Sequence, residues 1–266
     1  MNRKIIMIAL VLIVIGVVGA VVTGKEYFAY EEVGGEEQIS AENLEEMSIL
    51  SDVANLHIKP SMDNDLHVKW SGKVGIGNDS VVETKIKDRK LIVDIKNKSF
   101  FNFINWNWHY YNVEIYIPRK ELNKLTVSNN VGIVVADHIE VQTIDVETDV
   151  SDIKIKSVKS NSIIVSSAVG KISINNSKGE IVANNDIGTI HIVVPEITGH
   201  ITAKTDVGEI KLQTQKDQNK ASIFGASDLG SIKIFNHKDQ KYLVEGSEYL
   251  IDLKTDIGDI TVSEIK

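Results

Sequence analysis

One phrase recurs seven times between residues 129 and 262, and it constrains the fold more than any other feature of the chain. It runs polar residue, Asp or Asn, Val or Ile, Gly, any residue, Ile, any residue, Ile or Val. Clear copies are Asn185-Asp186-Ile187-Gly188-Thr189-Ile190-His191-Ile192 and Thr205-Asp206-Val207-Gly208-Glu209-Ile210-Lys211-Leu212. The glycine column falls at 132, 170, 188, 208, 230 and 258, with Ser151 standing in it once; the spacings are 19, 19, 18, 20, 22 and 28. A second alternating strand lies between successive phrases, as in Ile144-Asp145-Val146 and Ile201-Thr202-Ala203. Alternation of period two turns every other aliphatic to one face. A unit of about 19 residues therefore holds two short strands and two turns, too short for a helical crossover. The expected fold is all-β, a single-stranded β-solenoid of about 19 residues per coil. Several coils are needed, because one alone leaves its apolar edges bare.

The Asp and Gly columns suggest a calcium ladder, but the spacing speaks against it. Calcium-binding nonapeptide repeats place Gly and Asp every few residues. Here one Asp comes per coil, and Asn130 and Ala168 replace it. Gly relaxes a corner, and short polar side chains bond neighbouring amides there, so the columns are read as architecture. No metal or cofactor is expected, and the absence of Cys excludes disulfides and thiolate sites. Composition agrees with β-structure: Ile and Val abound, Pro numbers three and aromatics 6%.

Ahead of the repeat, Ile5 to Val22 form 18 residues without a charge, preceded by Arg3 and Lys4. At 1.5 Å per residue this spans about 27 Å, close to a hydrocarbon core of roughly 30 Å. Residues 1–24 are expected to be an N-terminal transmembrane helix, N-terminus cytoplasmic and the rest extracytoplasmic. A cleaved signal peptide is the rival reading, with Val18-Gly19-Ala20 as its site. Residues 25–47, rich in Glu, are expected to be an acidic linker, a solvated stalk in preference to a recognition tail. Setting aside Arg3 and Lys4 leaves 27 basic against 37 acidic side chains. Such a surface repels phosphate, which excludes nucleic acid and disfavours anionic headgroups.

Residues 48–128 alternate without the regular phrase, although Asp52 to Ile58 is a degenerate copy. They are expected to form an irregular β cap, with solenoid repeats over 129–266. Within the cap lies an aromatic run, and its Phe100, Phe101, Phe103, Trp106, Trp108, Tyr110 and Tyr111 are the candidate interaction surface. Two readings stay open: rings folded over the end of the core, or an exposed loop touching the membrane interface, a sugar surface or a protein. No catalytic residue is predicted. His57, His67, His109, His138, His191, His200 and His237 are scattered without ligand spacing, and neither a phosphate loop nor a nucleophile motif occurs. The chain is read as non-enzymatic, with a polysaccharide-active β-helix as the less favoured class. A third reading is a self-assembling scaffold: only Ser263 to Lys266 follow the final strand, leaving the last coil open to edge-to-edge addition.

Taken together, the apolar run, the acidic stretch, the segment Ile49 to Gly72, the aromatic run and the Asp-Val-Gly or Asp-Ile-Gly strands resemble a bacterial β-strand-repeat family of adhesin-like proteins of unknown function. Its members include the LiaG-like membrane proteins of Gram-positive bacteria, found beside cell-envelope-stress genes. The resemblance covers nearly the whole chain. It implies an envelope location and an adhesin-like role, and it carries over no catalytic residue. Ser151 and the long final spacing depart from the pattern.

Overall fold

Alternation of buried and exposed residues is kept strand after strand: in the middle of the chain Ile144, Val146, Ile153 and Ile155 are fully inside while Asp145 and Lys154 face outward. A computed structural model describes residues 30–75, 80–97, 110–118, 122–215, 220–235, 237 and 240–265. These residues contain strands and no helix. The first strands are β1 (Tyr30–Ser40), β2 (Glu46–Pro60), β3 (Asp65–Gly75), β4 (Ser80–Lys87), β5 (Lys90–Asn97) and β6 (Tyr110–Ile117). Next, β7 (Leu122–Asp137) and β8 (Val141–Lys156) each run through a whole coil without a break. Later coils split into pairs: β9 (Lys159–Val169) with β10 (Ile172–Asn175), β11 (Lys178–Ile187) with β12 (Ile190–Val193), and β13 (Ile201–Val207) with β14 (Ile210–Thr214). Then come β15 (Ala221–Leu229) with β16 (Ile232–Ile234), the short β17 (Lys241–Tyr242), and β18 (Tyr249–Ile257) with β19 (Ile260–Glu264).

The stacking is parallel and in register. Leu125 pairs with Ile144, Ile144 with Ile163, Ile163 with Ile181 and Ile181 with Ile201, steps of 19, 19, 18 and 20 residues. The solenoid expected from the phrase is thus the architecture of the described residues. Its core is a column of Ile, Val, Leu and Ala between two parallel faces, almost all of it with no exposed surface. Residues 1–29, which hold the expected transmembrane run, lie outside the described residues; among the described residues no helix is long and apolar enough to cross a membrane.

The coils do not stack in chain order at either end. Beyond Ile201 the next residue in the ladder is Ile251, and only then Ile223. On the opposite face Ile210 is followed by Ile260 and then Ile232. The coil β18–β19 is therefore inserted between β13–β14 and β15–β16. At the other end β2, the first coil in sequence, sits between β7 and the coil formed by β5 and β6: Met47 pairs with Leu125 on one side and Leu91 on the other, and Leu56 pairs with Val113. Both outermost coils are internal segments of the chain. A strand paired on two edges satisfies its backbone donors and acceptors, whereas an edge strand leaves a row of them to water.

Two expectations change accordingly. The final strand is no open edge, because β19 has β14 on one side and β16 on the other. The outermost coil is β15–β16, and the chain crosses its end between residues 235 and 248. There the buried ring of Phe235 meets that of Tyr242 edge-on at 5.2 Å, and β17 pairs antiparallel with β15. Nor is the acidic stretch a solvated stalk: Tyr30–Ser40 pairs antiparallel with β3 along its whole length. The reason is cross-strand charge, with Glu32 on Lys73 at 3.6 Å and Glu36 on Lys69 at 3.0 Å, while Trp70 lies over the bare backbone of Gly35. Among the described residues of 48–128 the irregular segment consists of atypical coils with antiparallel strands beside them: β3 pairs with β6, β4 with β5, and β1 with β3.

Candidate interaction surface

Each copy of the recurrent phrase builds one corner, and every position in it has a separate task. Its first residue points inward and donates to a backbone carbonyl of the neighbouring coil: Asn185 Nδ2 to Gly170 O at 2.9 Å, Thr205 Oγ1 to Gly188 O at 3.4 Å, Thr255 Oγ1 to Gly208 O at 3.1 Å and Ser227 Oγ to Gly258 O at 2.9 Å. These bonds follow the spatial order of the coils, running from Thr255 back to Gly208, 47 positions earlier in the chain. The glycine is required twice over. Gly188 has φ of 142°, and a Cβ there would lie 1.8 Å from Gly170 O. Ser151 occupies the same column without a positive φ. Its hydroxyl accepts from Asn129 Nδ2 at 3.4 Å and its carbonyl accepts from Ser167 Oγ at 3.4 Å. The residue after the glycine can clamp the adjacent coil: the Asp152 carboxylate accepts from the Lys171 amide at 3.0 Å and Asp259 from the Ser231 amide at 2.8 Å, which holds the Asp259 carboxyl below its ordinary range.

The third position of the phrase does the opposite of what an aliphatic residue usually does. Val131, Val150, Val169, Ile187, Val207, Ile257 and Leu229 stack in register and stand outward, between 37% and 68% exposed. At ~4.8 Å per coil they form an apolar ridge on the order of 29 Å long. Single exposed aliphatics are ordinary, but a continuous row is the kind of patch that marks a contact surface. Beside it run the carboxylates of Asp149, Asp186, Asp206, Asp256 and Asp228, one per coil except where Asn130 and Ala168 intervene. From the sequence, this Val or Ile of the phrase is assigned no role. The signal is in the sequence: Asp-Val-Gly breaks the period-two pattern, putting four residues, Asp206 to Glu209, between the inward Thr205 and the next inward Ile210.

Of the predicted aromatic surface, Phe100, Phe101, Phe103, Trp106 and Trp108 lie outside the described residues. Tyr110 opens β6, and Tyr111 is 1% exposed in the core, so Tyr111 belongs to the packed interior and not to a contact face. The run joins β5 to β6, the two faces of the outermost coil, at the place where other coils carry the corner phrase.

Elsewhere the polar groups pair locally. Glu114 receives Lys59 Nζ at 2.8 Å and the Tyr116 hydroxyl at 2.8 Å, which lowers its carboxyl and raises the Lys59 ammonium. Asp63 bonds the His67 ring at 3.0 Å, the Ser61 hydroxyl and the Asp65 amide, bringing its carboxyl down to about 2. Burial first, then Lys59, depresses His57. Among the described residues no three His, Asp or Glu side chains are grouped to hold a metal ion. A cleft of about 450 Å³ lined by Pro60, Ile117, Pro118, His138, Ile139 and Glu140 pairs its imidazole with Asp137 at 2.7 Å.

Solved structures similar to the chain include a "putative cell adhesion protein" from Clostridium sporogenes at 12% identity, covering 88% of this chain and 100% of that one with a TM-score of 0.44. Another is a "putative adhesin" from Bacteroides fragilis at 15% identity, 88% and 97% coverage and a TM-score of 0.47. A third, from Parabacteroides distasonis, carries the name "putative lipid binding protein", at 15% identity, 89% and 97% coverage and a TM-score of 0.43. No curated protein matches the sequence. A family model described as Toastrack DUF4097 matches twice, over residues 44–183 and 133–263, spanning the coils from β2 to β19: the chain belongs to the Toastrack DUF4097 family.

Proposed function

We propose that the protein is a non-enzymatic, adhesin-like interaction protein anchored in the cell membrane by residues 5–22. The solenoid is then displayed on the outer side and makes contact with an envelope polymer or membrane protein through its ridged corner. The observation that carries this reading is the exposed aliphatic ridge, since a row of seven stacked apolar side chains adds nothing to the core. A solenoid stiffened by ladders on two faces holds such a row straight, so that a partner engages it without ordering it first. The aromatic run that follows β5 in the sequence, with Trp106 and Trp108, is the second part of the proposed contact surface.

The test is capture of crosslinked envelope partners by the full chain and two variants. In one, Val150, Ile187 and Val207 become Thr; in the other, Trp106 and Trp108 become Ala. Loss of the captured partner with an unchanged melting temperature is the expected result for the ridge variant. Full capture by both variants would remove the corner as the contact surface. Membrane fractions probed with an antibody to the C-terminal region, with and without protease on intact cells, test the anchor and its orientation. Soluble, shortened protein would overturn it.

A further inference from the structure

The slot between β13–β14 and β15–β16 is a strand-acceptor site, and we propose that it also takes residues 249–264 from a second copy of this chain, giving an exchanged dimer. The proposal rests on stacking order alone and is independent of the anchor and the ridge. Without β18–β19, the two flanking coils stand about 9.6 Å apart, two strand spacings, with unpaired ladders facing each other. The inserted segment meets them in full register: Ile251 to Ile257 run along Ile201 to Val207 on one side and Ile223 to Leu229 on the other, and Ile260 to Val262 lie between Ile210–Leu212 and Ile232–Ile234. Donor and acceptor are identical in every copy, so each of these pairings is available between two chains without a new contact.

The connection allows it. The segment is reached through the 14 residues 235–248, which extend at most about 46 Å, and they include Gly246 in a left-handed turn with open space around it. Exchange of an identical element is a low-cost route to dimers and is set during folding, since leaving a completed slot breaks ladders on both faces.

The chain has no cysteine, which makes the test direct. Thr202 on β13 and Asp252 on β18 are register partners and both are exposed. In-register parallel neighbours lie about 4.8 Å apart, within disulfide range. Two full-length chains with different tags, one Thr202→Cys and one Asp252→Cys, are expressed together or mixed after separate folding, then oxidised. A disulfide-linked heterodimer from co-expression, well above the level obtained by mixing folded chains, is the expected result. Equal yields from both routes would mean surface collision and would overturn the proposal. No heterodimer, while the Thr202→Cys/Asp252→Cys double variant closes within one chain, would overturn it too. A double variant with both thiols unbonded would count equally against it, since the register defining the slot would then be wrong.

Discussion

Replacing Gly188 with Ala isolates the interaction on which coil stacking depends. The backbone there has φ of 142°, a region that L side chains rarely enter, at a cost of about 1–3 kcal/mol. The added Cβ would lie 1.8 Å from Gly170 O and 2.8 Å from Asn185 Nδ2, so the two coils must separate by at least about 1.2 Å for the carbonyl contact to reach 3.0 Å. That carbonyl also accepts the Asn185 side chain at 2.9 Å, a bond contributing about 1 kcal/mol. Strain, the lost bond and weakened ladders together predict a destabilisation of about 3–6 kcal/mol, a large share of the ~5–15 kcal/mol that holds a domain. Gly246→Ala is the matched control. It too has a positive φ, of 67°, but nothing lies within 4 Å of the new methyl, so only the conformational cost of about 1 kcal/mol remains. Urea unfolding of both variants beside the parent chain, followed by far-UV circular dichroism, reads the difference. A Gly188→Ala midpoint no lower than that of Gly246→Ala would refute the claim that the column exists for close carbonyl approach.

Other outcomes follow from the same contacts. Ile190→Ala removes a fully buried side chain from the mid-solenoid core and should cost about 2–5 kcal/mol in the same unfolding measurement. Thr205→Val keeps the shape but deletes the donor to Gly188 O; a loss of about 1 kcal/mol is expected, and no loss would discount the polar corner ladder. The Asp63 carboxyl titrates at about 2 when folded, below its ordinary 3.8, so its stabilising effect is present above pH ~4 and fades as the pH falls through about 2. Over that window the melting temperature of the parent should therefore fall faster than that of Asp63→Asn; parallel curves would contradict the assignment. Trp70→Ala uncovers Gly35 and loosens β1, so limited proteolysis should cut within residues 30–40 earlier than in the parent chain.

Much of the solenoid was legible in the sequence because its signals are local. A period of two decides which face each residue takes, and a glycine recurring near every 19 residues marks a corner where positive φ and close carbonyl approach favour glycine. Charge alone did not disclose β1: an acidic run reads as solvated until the basic strand opposite it, with His67, Lys69 and Lys73, is known to lie alongside. The exposed ridge was half legible, since the break in alternation at Asp-Val-Gly was visible, but its continuity depends on seven corners stacking in register.

What the sequence alone determined is the coil: two strands, a polar corner, an aliphatic core, and more than one copy. Which coil stacks on which was decided only in three dimensions. Coils with the same pattern offer nearly the same edges, so local propensity cannot distinguish Ile223 from Ile251 as the neighbour of Ile201. The longer glycine spacings of 22 and 28 residues were the trace left in the sequence, since chain that must cross the end of the stack and return needs extra length. The choice falls to the order that pairs β18–β19 on both edges and leaves Phe235 and Tyr242 to cover the end of the core.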